Sequence, residues 1–403
     1  MEKSFLVLFF KKELLASFSE IFLVFLRLGL TSFGGPVAHL AYFRGEIVQR
    51  RGWINEAAYA DLLALCQFVP GPASSQVGFA LGLMRGGYSG GLAAWVGFTL
   101  PSAVLMVLFA YGARRLVDSL TGQGLLHGLK LVAVAIVAQA ILGMAQRICT
   151  DRVRVGIAVA VLVIMLVAQG PFLQLETIVL GGVAGWLLCR GQIGMTPDRT
   201  AMPVSRGVGI TCLAAFFILL ALAFLPARGG ALALFGAFYH AGALVFGGGH
   251  VVLPLLRNAV VQPGWVSDGA FLAGYGAAQA LPGPLFTFAA YLGALADVRP
   301  GGGVFGAATA LVGIFLPGIL CLLGTLPLWH ELRARSQAQA AMCGANAAVV
   351  GLLGAAFYHP VWTGAVRSPA DFAIAAAGFV VLVVCRAPPL FVVVLLPLAA
   401  MVI

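Results

Sequence analysis

Broken backbone inside a membrane survives only where protein buries it or water reaches it. This chain breaks its apolar sequence in two ways, and makes each break twice. Ser32-Phe33-Gly34-Gly35-Pro36 interrupts the first apolar run, and Phe246-Gly247-Gly248-Gly249 interrupts a later one. Gln67-Phe68-Val69-Pro70-Gly71-Pro72 is the second break, and Gln279-Ala280-Leu281-Pro282-Gly283-Pro284 is its copy. Glycine clusters and Pro-Gly-Pro both end helices. The four breaks predict two walls of one substrate site.

The surrounding sequence defines the solvent. The 403 residues are 61% hydrophobic and 9% charged, against about 25% charged in a soluble domain. The apolar runs are long and do not alternate as barrel strands do. The expected fold is therefore an all-α polytopic membrane protein lying in a lipid bilayer. It should have about ten full spans plus re-entrant segments. The net charge of +10 does not point to nucleic acid, because the basic residues are scattered singly and in pairs through short loops, as the positive-inside bias requires. The seven cysteines include no CxxC pair, so neither a disulfide framework nor a zinc site is expected. The lysine-flanked apolar N-terminus is followed by no small-x-small cleavage site and is expected to stay attached as an interfacial lead-in.

The breaks belong to a longer duplication. Phe33-Gly34-Gly35 and Arg44 recur 213 residues later, at Phe246-Gly247-Gly248 and Arg257. Gly52-Trp53, Gln67 and the Pro-Gly-Pro recur at 212, and Gly97 with Leu100-Pro101 at 216. An ordered series with small drifts in offset is what duplication with small insertions leaves. The expected organisation is a first repeat over residues 1–190, a linker and bridging span over 191–228, and a second repeat over 229–403. Between the two breaks of each copy lie short apolar segments, at 56–69 and 72–85 and again at 269–281 and 284–297. Each is too short to span and predicts a re-entrant hairpin. Arginines at 147–154 and 190–206 mark those loops as internal, so the bridging span carries the chain outward. The second copy then starts on the opposite side, which makes the pair an inverted repeat around a midplane site, as in many secondary transporters. Arg114 and Arg115 go against that bias.

The chemistry suits an anion. N–H groups freed at a glycine break or at the start of a half-helix point at negative charge. Ser32, Phe33, Gly34 and Gly35 with Pro70, Gly71 and Pro72 form the candidate wall of the first copy. Phe246, Gly247, Gly248, Gly249, Pro282, Gly283 and Pro284 form that of the second. Ser74 and Ser75 add hydroxyls in the first turn after Pro72; Gln67 and Gln279 add amides. Arg27 and His240 lie seven residues before Gly34 and Gly247, so the same repeat position is cationic twice. Ionisable residues in apolar sequence are functional candidates, and His250, directly after three glycines, is a further one. The bland alternatives are tight helix crossings at the glycines and snorkelling or satisfied polar contacts at the cations. Glu20, Asp61 and Asp297 are candidate proton carriers, none repeated. No GxxxxGK[ST] or HExxH occurs, so no enzyme, metal site or cofactor is expected.

At these residues the sequence resembles the chromate transporter (CHR) family in its long form with two homologous halves. The resemblance rests on Phe25 to His39, Cys66 to Gln76 and Gly97 to Pro101, then on Phe246 to Pro254 and Gly274 to Pro284. It implies a multi-pass protein of the bacterial inner membrane that exports chromate by an ion gradient and confers chromate resistance. It also implies antiparallel halves, with sulfate as competing substrate. Homo-oligomer formation stays open. The residues themselves support a small oxyanion without choosing chromium over sulfur. They leave open a sulfate transporter and a passive anion channel.

Overall fold

The structure is a computed structural model. It describes residues 18–33, 35–116, 120–168, 173–189, 204–225, 229–246, 251–298, 302–329, 331 and 335–401. The N-terminal lead-in lies outside the described residues, as do Gly34, Gly247, Gly248, Gly249 and His250. Among the described residues there is no strand.

The first copy opens with α1 (18–31), which ends at the glycine break. Helix α2 (Gly35–Phe43) continues into a π-helical stretch, Arg44–Arg50. Then come α3 (Glu56–Phe68) and α4 (Ala73–Leu116), separated by the Pro-Gly-Pro. Asn55 starts α3 by accepting from the Ala58 N–H, a polar N-cap. At 13 residues, α3 is roughly 20 Å long, short of the ~30 Å hydrocarbon core. Helix α4 bends at Gly86-Gly87, where the backbone leaves helical geometry. The sequence reading marked the segment boundary there without foreseeing a continuous, kinked helix. Helices α5 (Leu120–Ile148), α6 (Arg152–Val167) and α7 (Leu173–Leu188) follow, then the bridging α8 (Arg206–Ala223).

The second copy repeats the plan with α9 (Gly230–Ala243), α10 (Val252–Val260), α11 (Asp268–Ala280), α12 (Phe288–Leu295) and α13 (Gly303–Thr325). Helices α14 (Ser336–Ala356), α15 (Pro369–Val383) and α16 (Pro389–Ala400) close the chain. Among the described residues, five helices are long and apolar enough to cross a membrane. The apolar helices α7, α15 and α16 are shorter.

The duplication reappears as duplicated contacts. A side chain at Gly97 would strike the backbone of Phe22 on α1, and one at Gly313 would crowd the backbone of Phe235 on α9. Each is a close helix crossing that only a residue without Cβ permits. Arg44 pairs with Glu56, and at the matching positions Arg257 pairs with Asp268, each at 2.9 Å. Ser267 caps α11 through the Ala270 N–H, as Asn55 caps α3. The copies also interlock. Helix α11 presses Gly276 on the Leu129 carbonyl of α5, and Trp329 Nε1 donates to Asp61 on α3 at 3.0 Å.

Candidate functional site

The two Pro-Gly-Pro turns make backbone bonds between the copies. Each reaches across to the other copy. Gly71 N–H donates to the Val245 carbonyl at 2.7 Å, and Gly283 N–H donates to the Ser32 carbonyl at 3.0 Å. Ser32 and Val245 are equivalent positions, as are Gly71 and Gly283, so the pair of bonds is a reciprocal exchange of the kind two-fold symmetry produces. Both turns need glycine, with φ at +125° for Gly71 and +100° for Gly283. The turns also contact the helix bearing the other copy's Leu-Pro motif. Gly71 abuts Gly318 of α13, and Gly283 abuts Ser102 of α4. Gln76 braces the first turn, its Nε2 donating to the carbonyls of Pro70 and Gly318, each at 2.9 Å. Each turn thus meets the described residue just ahead of the other copy's glycine cluster.

These bonds revise how the turns would meet an anion. In this structure the N–H groups of Gly71 and Gly283 are engaged across the junction, so polar side chains remain as the free groups. Ser74 and Ser75 are buried at the start of α4, and Ser75 Oγ has no hydrogen-bond partner. Ser32 is fully buried and its Oγ is also unpartnered. Gln279 presents a buried, unpartnered Nε2 at the end of α11, whereas its equivalent Gln67 is exposed on α3. Phe33 and Phe246 are half-buried beside their breaks, and Gly35 opens α2 at φ +76°. Pro72, Pro282 and Pro284 are buried and Pro70 is half-buried.

The two cationic candidates occupy different surroundings despite their equivalent positions. Arg27 is exposed on α1 and lines an open recess of about 570 Å³ with Thr31, Ala38, Tyr42 and Glu46. His240 is half-buried on α9, its ring edge-on to Phe224 with centroids 4.7 Å apart and its Nε2 buried without a partner. Glu46 completes the recess. Burial opposes its charge, yet hydrogen bonds from Arg51 and Arg50 hold its carboxyl below the ordinary value. Of the acids, Glu20 pairs with Arg51 and Arg85, Asp61 accepts from Trp329, and Asp297 is exposed.

The structure also draws in residues outside the candidate walls. His39 is 1% exposed, yet neither ring nitrogen has a hydrogen-bond partner. Thr99 Oγ1 and Trp95 Nε1 on α4 are buried and unpartnered as well. Among the described residues, no group of three or more His, Cys, Asp or Glu is arranged to hold a metal ion.

Described residues that are helical throughout their regular structure, with five helices long and apolar enough to cross a membrane, define a polytopic membrane protein. The family profile described as "Chromate transporter" matches residues 19–186 and 232–403. The chain is 31% identical to a chromate transport protein of Pseudomonas aeruginosa, over 84% of this chain and 80% of that one. It is 26% identical to a chromate transport protein of Cupriavidus metallidurans, over 83% and 80% of the two chains. No solved structure is significantly similar. The protein belongs to the chromate transporter family, and is a transporter rather than an enzyme.

Proposed function

We propose that this protein is a secondary transporter that exports chromate across the bacterial inner membrane by alternating access, and so confers chromate resistance. Kinship with the chromate transport proteins supports the substrate. One observation supports the mechanism: the reciprocal hydrogen bonds from Gly71 to Val245 and from Gly283 to Ser32. They join each copy's Pro-Gly-Pro to the other's glycine break, at the junction about which antiparallel halves would rock. In this reading the domain boundaries at 190 and 228 separate two inverted halves. The substrate meets Ser32, Ser74, Ser75 and Gln279 at the junction. Arg27 in the open recess supplies positive potential on the approach. Sulfate, a dianion of the same shape, competes.

The test is flux in proteoliposomes of known orientation, with chromate on one side and proton or sulfate gradients imposed in turn. Export accelerated by one imposed gradient, with sulfate competing, is the expected result. Sulfate flux that chromate does not inhibit would reassign the substrate. Voltage-driven currents independent of any counter-ion would make the protein a channel and end the alternating-access reading.

A further inference from the structure

Duplication provides an internal control on every buried polar residue. The first copy places Ser32, His39, Trp95 and Thr99 where the second, at offsets of 213 and 216, places Val245, Val252, Leu311 and Phe315. Val245, Val252 and Phe315 are themselves almost fully buried. The shared fold is therefore satisfied by apolar side chains at these places. Yet in the first copy Ser32 Oγ, both nitrogens of His39, Trp95 Nε1 and Thr99 Oγ1 are buried with no hydrogen-bond partner. A buried polar atom without a partner destabilises a protein unless something else satisfies it. The repeated fold does not require these groups, and each is free to take a bound water or a ligand.

They also lie on elements that touch one another. His39 meets Phe98 edge to face, ring centroids 5.3 Å apart, and Phe98 adjoins Thr99. The Ser32 backbone lies beside the His39 ring without meeting hydrogen-bond geometry. The Ser32 carbonyl takes the cross-copy bond from Gly283, and a side chain at Gly283 would lie 3.3 Å from the Phe98 carbonyl. Trp95, Thr99 and Ser102, four and three residues apart, share one face of α4. Among the described residues, no ion pair reaches His39. The donors are two hydroxyls, an indole N–H and an imidazole, a set that hydrogen-bonds a small oxyanion from several sides without a fixed counter-charge.

We propose that Ser32, His39, Trp95 and Thr99 form a single closed oxyanion site, carried by the first copy alone. This rests on the transport reading above and narrows it, leaving Gln279 out of the donor set: the first copy supplies the donors, and the second supplies the matching apolar wall, with Phe315 against Trp95 at a centroid distance of 5.6 Å. The ligand class is a tetrahedral oxyanion such as chromate or sulfate.

The test uses the full chain, purified and reconstituted. Thr99→Val keeps the shape and removes the hydroxyl. It should raise the KM for chromate about ten-fold or more, the loss expected for one hydrogen bond to a charged ligand. It should leave the anion-free thermal midpoint unchanged or higher, because an unsatisfied buried group is gone. His39→Ala should raise KM in the same way, while Val252→Ala at the equivalent position leaves it unchanged. A Thr99→Val KM within about two-fold of wild type overturns the site, as does a lowered midpoint, which marks a structural hydroxyl. Equal KM changes in His39→Ala and Val252→Ala overturn its one-sidedness. A wild-type protein that neither moves nor binds chromate or sulfate overturns the transport reading, and the site with it.

Discussion

Gly71→Ala probes the junction at its tightest point. The residue sits at φ +125°, a region essentially closed to side-chain-bearing residues, so alanine carries strain of roughly 1–3 kcal/mol. Its Cβ would also lie 2.7 Å from the Gly318 Cα and 2.8 Å from Gln76 Nε2. Gly318 is backbone within α13, directly after Pro317, and cannot rotate aside. The turn must retreat, which stretches the 2.7 Å bond from Gly71 N–H to Val245 and forfeits about 0.5–1.5 kcal/mol. The total is about 1.5–4.5 kcal/mol. Gly283→Ala carries similar strain at φ +100°, but its collision at 2.8 Å is with the Ser102 hydroxyl, which can turn away. Gly112 has nothing within 4 Å of an added Cβ and lies in a helix, where alanine is favoured. Thermal unfolding in detergent, followed by tryptophan fluorescence, should rank Gly71→Ala lowest, then Gly283→Ala, with Gly112→Ala at or above wild type. Chromate flux in vesicles should fall in the same order. A wild-type midpoint for Gly71→Ala, or a lower one for Gly283→Ala, would refute the reasoning.

Two further outcomes follow from the same geometry. Gln76→Leu removes the bonds to the Pro70 and Gly318 carbonyls, so it should cost about 1–3 kcal/mol in the same unfolding assay; an unchanged midpoint would show that Gln76 braces nothing. Glu46 has a depressed pKa from the ordinary 4.5, so its stabilisation is complete above that value and is lost as pH falls through the lower one. Acidification below about pH 4.5 should therefore narrow the stability gap between wild type and Glu46→Gln; a gap that stays constant with pH would contradict this.

The helical plan was legible because the punctuation is strong. Pro-Gly-Pro ends α3 and starts α4 within a residue of the expected places, and the bridging span falls at Arg206–Ala223 against an expected 207–226. The short helices behind the glycine breaks, α2 and α10, were not legible. Their segments carry Arg44, Glu46 and Arg257 and read as polar connectors, whereas the structure coils them against the bundle and pairs those charges. Nor could one sequence show that each turn bonds to the opposite copy. Offsets identify which residues are equivalent, not which copy they touch. The same limit explains Arg27 and His240. Their shared repeat position is real, but α1 turns Arg27 to the outside while α9 sets His240 against Phe224. A usable signal for His39 and Thr99 did exist, in the places where the repeat fails to match.

That failure to match separates two kinds of constraint. Where the copies agree, at the glycine crossings, the caps, the ion pairs and the crossed turns, the residues serve the architecture, since both copies need it. Where they disagree at buried positions, the architecture accepts either residue and another demand has chosen. The crossed bonds pair the copies as near equals, which suits a scaffold that must be comparably stable in two arrangements. A ligand shifts such a balance only through contacts that differ between the arrangements. A site with polar groups from one copy and an apolar wall from the other would have that property: under the proposed rocking, the wall would leave the donors and the oxyanion would lose its enclosure. Two equal anion-binding turns, one in each copy, would lack this bias, because what one gained on rocking the other would lose.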